Sequence, residues 1–144
     1  MIQQPRVIVD TSTLIGAVLR PNTAPRQAFL AALNAYELCV SQATLGELAE
    51  VLQRPKFERY APLHARLAFL DLLTQRAHLW EVDAVSAQAA SGVCRDTKDT
   101  KFLALVLACE AVFLVSSDED LLVLNPWSGV QILTPAAFLQ SESA

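Results

Sequence analysis

The chain has little of what staples, loosens or unfolds a protein. Only three cysteines occur, Cys39, Cys94 and Cys109, with no C-x-x-C pair and only His64 and His78 to accompany them. That excludes a disulfide framework and any zinc site of Cys/His spacing. Three buried thiols in a reducing cytoplasm are the expectation. Four glycines and seven prolines exclude collagen-like or low-complexity material. Charge is sparse, with 18 % of residues charged against 53 % apolar, the reverse of a disordered chain. The 11 basic residues are outnumbered by 15 acidic ones, for a net charge of −4 and a pI of about 5.1. This balance argues against a polybasic nucleic-acid binder. It leaves open an enzyme that reaches nucleic acid through metal ions. The opening Met-Ile-Gln-Gln-Pro-Arg has no apolar region of the kind a signal peptide needs. The longest apolar run, 102–115, is broken by Glu110 and is short of the ~20 residues a membrane span requires. A cytoplasmic protein with no membrane segment is expected.

What is present is enough for one domain. A chain of 144 residues falls in the range of roughly 100–200 residues per domain. No Gly/Ser linker, charge run or repeat divides it, so a single domain is expected over 1–140, with a frayed tail at 141–144. Short apolar runs at 6–9, 37–40, 78–82, 112–115 and 129–133 read as strands. Helical patterns lie between them, at 13–19, 25–35, 41–54, 62–77, 99–110, 118–124 and from 135 onward. In the 41–54 segment Leu45, Leu48, Ala49 and Leu52 follow helical spacing, and Pro55 ends it. The 99–110 segment is apolar nearly all round, which predicts deep burial. The alternation predicts an α/β fold with a parallel sheet covered by helices on both faces. Ligands in such folds sit at the carboxyl ends of the strands.

Carboxylates collect there. Asp10 ends the run Val7-Ile8-Val9, and Asp118 and Asp120 follow the 112–115 strand after two serines. Asp96 and Asp99 stand just before the buried helix, and Glu47 lies on the helix after the second strand. Acids gathered from four segments cannot all stay ionised at neutral pH without a cation. A hard, oxygen-preferring ion, Mg²⁺ or Mn²⁺, is the natural counter-charge, and such a site suits phosphoryl displacement. A plainer role exists for each acid. An Asp at a strand-to-helix turn also serves as an N-cap, and for Asp99 and Asp118 the two roles stand side by side. Asp120 sits in a first helical turn, where the macrodipole favours it. On the helical wheel Glu47 faces away from Leu45, Leu48 and Leu52, so periodicity alone places it on a solvated face. Asp10 is followed by Thr11-Ser12-Thr13, hydroxyls able to hold a carboxylate or a ligand.

The blocks Val7-Ile8-Val9-Asp10-Thr11-Ser12, Leu45-Gly46-Glu47-Leu48 and Val51-Leu52-Gln53-Arg54-Pro55-Lys56-Phe57 resemble PIN-domain ribonucleases. So do Arg95-Asp96-Thr97-Lys98-Asp99-Thr100-Lys101-Phe102, Leu114-Val115-Ser116-Ser117-Asp118-Glu119-Asp120 and Val130-Gln131-Ile132-Leu133-Thr134-Pro135. The subfamily resembled is the toxins of prokaryotic toxin–antitoxin pairs, and the match runs in order along nearly the whole chain. The resemblance implies a three-layer α/β/α sandwich on a parallel sheet of four to five strands. It implies an acidic pocket holding one or two Mg²⁺ or Mn²⁺ ions and hydrolysis of single-stranded RNA. Carried over residue by residue, Asp10, Glu47, Asp99 and Asp118 are the catalytic and metal-binding acids, with Asp96 and Asp120 as further metal candidates. Asp99 is preferred to Asp96 because it opens the buried helix. Ser116 stands at a Thr/Ser position of the family, and with Thr11 and Ser12 is assigned a supporting role. Ser12, Ser117 and Gly16 depart from the family's usual Asn, Gly and Ser. The resemblance also implies a small antitoxin protein as partner and a homodimer.

Substrate contacts are not readable from the sequence. Arg20 and Arg26, then Arg54, Lys56, Arg59 and Arg66, then Arg95, Lys98 and Lys101 are candidates to steer phosphates and equally ordinary surface charge. No aromatic ladder marks base stacking. The alternative function is a catalytically weak or inactive PIN-like domain that binds protein or RNA. A phospho-acceptor receiver domain fits less well, since the first strand supplies one acid and the last is followed by Thr134-Pro135 rather than a lysine.

Overall fold

Strands β1 (Arg6–Val9), β2 (Glu37–Val40), β3 (His78–Leu79), β4 (Phe113–Val115) and β5 (Gln131–Leu133) form one sheet in the order β3-β2-β1-β4-β5. Every neighbouring pair is parallel. The computed structural model describes residues 4–143. Residues 1–3, part of the opening segment, and residue 144, the end of the expected tail, lie outside the described residues. Among the described residues seven α-helices connect the strands, α1 (Thr11–Leu19), α2 (Ala24–Ala35), α3 (Gln42–Leu52), α4 (Leu63–Arg76), α5 (Ala84–Ala90), α6 (Thr100–Cys109) and α7 (Glu119–Leu122), and α8 (Pro135–Ser143) follows β5. None is long and apolar enough to cross a membrane.

The pleat sorts the strand residues into two cores. Val7, Val9, Leu38 and Val115 point to one face, where Leu14, Phe29, Leu48, Leu52, Leu73 and Phe138 of α1, α2, α3, α4 and α8 pack on them. Ile8, Cys39, Leu114 and Ile132 point to the other, against Phe102, Leu103, Leu105, Val106 and Cys109 of α6, Ala90 of α5 and Leu121 of α7. Side chains alternate between faces with period two, yet both faces are covered, so the strands read as continuous apolar runs. The result is the expected three-layer α/β/α sandwich, with five strands. All three cysteines are buried and free.

Topology places the site. The chain steps from β1 outward to β2 and β3, then returns to lay β4 on the other side of β1. The connections after β1 and β4 therefore leave in opposite directions, which opens a crevice at the carboxyl ends of these two strands. Val9 pairs with Val115 at that end.

Two elements differ from the sequence pattern. Helix α5 was not expected. Its sequence, AVSAQAA, buries only Ala90, too little to mark an apolar stripe. The strand expected at 78–82 pairs only at His78 and Leu79, both exposed at the sheet edge. One cation also moves indoors. Arg66 on α4 is 1 % exposed, not the surface charge its neighbours suggested. Its guanidinium donates to the carbonyls of Leu52, Arg54 and Ala61 and to Glu58 Oε2. It thereby ties both ends of the segment between α3 and α4.

Candidate active site

Asp10 follows β1 directly, and its backbone N–H donates to the Val115 carbonyl at 3.0 Å, so the β1–β4 ladder fixes its place. Asp10 is 4 % exposed. Oδ1 accepts from the Thr13 backbone N–H at 3.0 Å, capping α1, and Oδ2 accepts from the Ser116 hydroxyl at 2.5 Å. The Ser12 hydroxyl stands 3.4 Å from Oδ1. Ser116 is fully buried just after β4. Its Oγ also accepts from the Asp118 backbone N–H at 2.9 Å. One hydroxyl thus fixes both acids that the two central strands deliver.

Asp118 caps α7, taking the Asp120 N–H at 2.9 Å. Capping and site placement coexist there. For Asp99 the capping role is absent: it precedes α6 but makes no side-chain cap bond. Its Oδ2 is buried with no hydrogen-bond partner among the described residues. Asp96 takes the Lys98 N–H at 2.9 Å and opens the 3₁₀ turn Thr97–Asp99. One carboxylate oxygen from each of Asp96, Asp99 and Asp118 lies within 4.8 Å of the other two. The structure therefore brings in both Asp96 and Asp99.

The charges show the strain of this gathering. Burial pushes the Asp10 carboxyl above its ordinary value of 3.8, while the hydrogen bonds from Ser116, Thr13 and Ser12 pull the other way. Asp99 is pushed up to about 7, first by burial and then by the facing Asp118 carboxyl and the charges of Asp96 and Asp10. An all-oxygen donor set with one orphaned, buried oxygen fits a hard divalent cation. Asp96, Asp99 and Asp118 are the groups that could hold one, with the buried Asp10 beside them.

Glu47 lines the same cleft from α3 but is already paired. Its Oε1 accepts from the Thr11 hydroxyl and its Oε2 from Lys101 Nζ at 2.8 Å. With its side chain 23 % exposed, it is not on a solvated face. The helical wheel separated it from the core correctly, but the other side of α3 faces the cleft rather than water. The Glu47–Lys101 pair spans 54 residues, and no local pattern signals it. Asp120 does not line the cleft. Its Oδ1 lies 4.0 Å from Arg95 Nη1. The cleft, about 370 Å³, is bordered by Arg54, Lys56 and Lys98, all exposed.

Residues 6–120 match the family model of the PIN domain. No curated protein sequence matches the chain. Among solved structures, PAE2754 from Pyrobaculum aerophilum is similar with a TM-score of 0.64 at 15 % identity, over 98 % of this chain and 92 % of that one. VapBC2 from Rickettsia felis, bound to a DNA fragment from their promoter, is similar with a TM-score of 0.62 at 12 % identity, over 88 % and 96 %. Mycobacterium tuberculosis VapC20, described as a sarcin–ricin loop cleaving toxin, has a TM-score of 0.57 at 16 % identity, over 87 % and 98 %. With its five-stranded sheet, the acids at the β1–β4 crevice and a family match that spans most of its length, this chain belongs to the PIN domain family.

Proposed function

We propose that this chain is a divalent-metal-dependent endoribonuclease acting on single-stranded RNA, and the toxin of a toxin–antitoxin pair. The observation that carries the chemistry is the convergence of Asp96, Asp99 and Asp118 beside the buried Asp10, with Asp99 Oδ2 left without a partner. A bound Mg²⁺ or Mn²⁺, one ion or two, would supply an activated water and offset the charge that develops on the phosphate. The chain's own contributions are separate. Asp10 and Asp118 are held rigid by Ser116, which presets the spacing of the acids. Asp99, raised to about 7, would hold the cation in its deprotonated form. Glu47 is oriented by Thr11 and Lys101 and stands where it can direct a water. Asp120, turned towards Arg95, is a weaker candidate for metal.

The toxin reading draws on the fold and on the structures it resembles, among them VapBC2, VapC20 and FitAcB from Neisseria gonorrhoeae. It carries with it a small antitoxin protein as partner, a homodimer and a cytoplasmic setting. The test is cleavage of a mixed single-stranded RNA panel by antitoxin-free protein in Mg²⁺, in Mn²⁺ and in chelator, with Asp10→Asn as control. Metal-dependent cleavage that disappears in Asp10→Asn is the expected result. A folded protein that cuts nothing under any of these conditions removes the nuclease reading.

A further inference from the structure

A second cavity, about 600 Å³, opens beside the acidic cleft and shares Ser12, Ile15, Lys56 and Phe57 with it. One wall is the α1–α2 turn with Arg20, and the other is the segment between α3 and α4 with Arg59 and Tyr60. No carboxylate lines it. Arg20, Lys56 and Arg59 are exposed, and among the described residues none has a carboxylate within ion-pair distance. In a chain of net charge −4, three uncompensated cations therefore face one concavity that leads into the acids. The Arg59 guanidinium lies 5.0 Å from the centre of the Tyr60 ring, and Tyr60 itself is 52 % exposed. A flat ring and cations along one groove offer stacking to a base and charge to its phosphates.

The groove is also held in shape. Arg66 anchors the Tyr60 segment at Leu52 and Arg54 on one side and at Ala61 on the other. On the opposite wall Gly16 lets α1 and α2 approach so closely that a Cβ there would meet Pro25 at 3.3 Å. Such a groove is ready-made rather than assembled by its ligand.

We propose that this cavity seats the nucleotide next to the scissile phosphate, its phosphate on Arg20, Lys56 and Arg59 and its base on Tyr60. The proposal rests on the nuclease reading and names the substrate-binding surface of that same site. A base can lie on Tyr60 only when it is not stacked in a duplex, so the groove selects single strands. It reads charge and a π-face, so it imposes little sequence preference.

The test is fluorescence anisotropy with a labelled mixed-sequence RNA decamer and its duplex, run in chelator and repeated in the Asp10→Asn background so that no cleavage interferes. Tyr60→Ala is expected to weaken single-strand binding about 5- to 150-fold, the range a stacked base contributes, and Tyr60→Phe to stay within about twofold. Arg20→Ala and Arg59→Ala are each expected to flatten the slope of log affinity against log salt by about 0.7. In turnover assays the three alanine variants are expected to raise KM and spare kcat. If the wild type binds the decamer with these effects but cuts no RNA, the nuclease reading falls and the cavity stands as an RNA-binding groove without a scissile phosphate beside it. If the wild type cuts RNA while all three variants bind the decamer unchanged, the cavity assignment falls alone. Variants that lose only a protein partner overturn it too, as does a wild type that binds no decamer.

Discussion

Ser116 donates its hydroxyl to Asp10 Oδ2 at 2.5 Å and accepts the Asp118 backbone N–H at 2.9 Å. A single buried oxygen thus couples the ends of β1 and β4. Ser116→Ala removes a donor that counters the effect of burial on Asp10, and frees Asp118 to move. Groups that orient metal ligands typically govern affinity by about 10- to 100-fold. Calorimetric titration with Mn²⁺ should show a loss of that size, with the fold retained by circular dichroism. An unchanged Mn²⁺ affinity would show that Ser116 does not position the ligands.

Asp99 sets the response to pH. Its carboxyl titrates near 3.8 when unfolded and near 7 when folded. Between these values the folded protein keeps a proton that the unfolded chain has lost, so stability falls as pH rises through that window. Asp10 shifts in the same direction. In chelator, the Tm is therefore expected to rise as pH is lowered from 8 to 5. Added Mn²⁺ should counter the trend above pH 7, because the ion binds the deprotonated cluster and stabilises only the folded state. Melts in chelator whose Tm climbs from pH 5 to 8 would contradict the assignment of this raised carboxyl.

Lys101 and Glu47 form the third lever. The Lys101 ammonium pairs at 2.8 Å with Glu47, which lines the acidic cleft. Lys101→Met leaves Glu47 with the Thr11 hydroxyl alone and makes the cleft one charge more negative. Divalent binding is expected to tighten by roughly 3- to 10-fold at low salt, and the gain to shrink as salt screens it. Turnover should nonetheless fall, since Glu47 loses the partner that orients it. Mn²⁺ titrations at two ionic strengths, paired with kcat, check both halves. Weaker Mn²⁺ binding in the variant would mean that Lys101 supports the ion rather than competing with it.

Much of this was legible in the residues. Asp10 closes a β-branched run, and the deep burial of α6 follows from a surface that is apolar nearly all round. Other features were not legible, for physical reasons. Periodicity can say that Glu47 avoids the core, but not that the remaining face of α3 meets α1 and α6. Helix α5 buries too little to leave a stripe. Tyr60 is a single ring made significant by Arg20, which lies far from it in sequence. Arg66 looks like any helical arginine, because the carbonyls that justify its burial belong to a segment whose path the sequence does not show.

That arginine yields the most direct structural prediction. Arg66 is 1 % exposed, while its ionic partner Glu58 has its side chain 62 % exposed. The energetic weight therefore rests on the carbonyls of Leu52, Arg54 and Ala61. Arg66→Met fills similar space but leaves the buried Leu52 carbonyl without this donor, at about 1–3 kcal/mol, and takes one donor each from the partly buried Arg54 and Ala61 carbonyls, of which Arg54 keeps the Phe57 N–H. A loss of about 2–4 kcal/mol and a fall in Tm of about 5–15 °C are expected. Arg66→Lys should fall between, since an ammonium cannot span the fork of acceptors that a guanidinium reaches. Hydrogen exchange should place the loosening at residues 53–62, and KM for RNA should rise more than kcat falls, because the groove wall that carries Arg59 and Tyr60 has lost its anchor. Uniform exchange across the molecule, or an Arg66→Met protein as stable as the wild type, would mean that the segment is held by something other than Arg66.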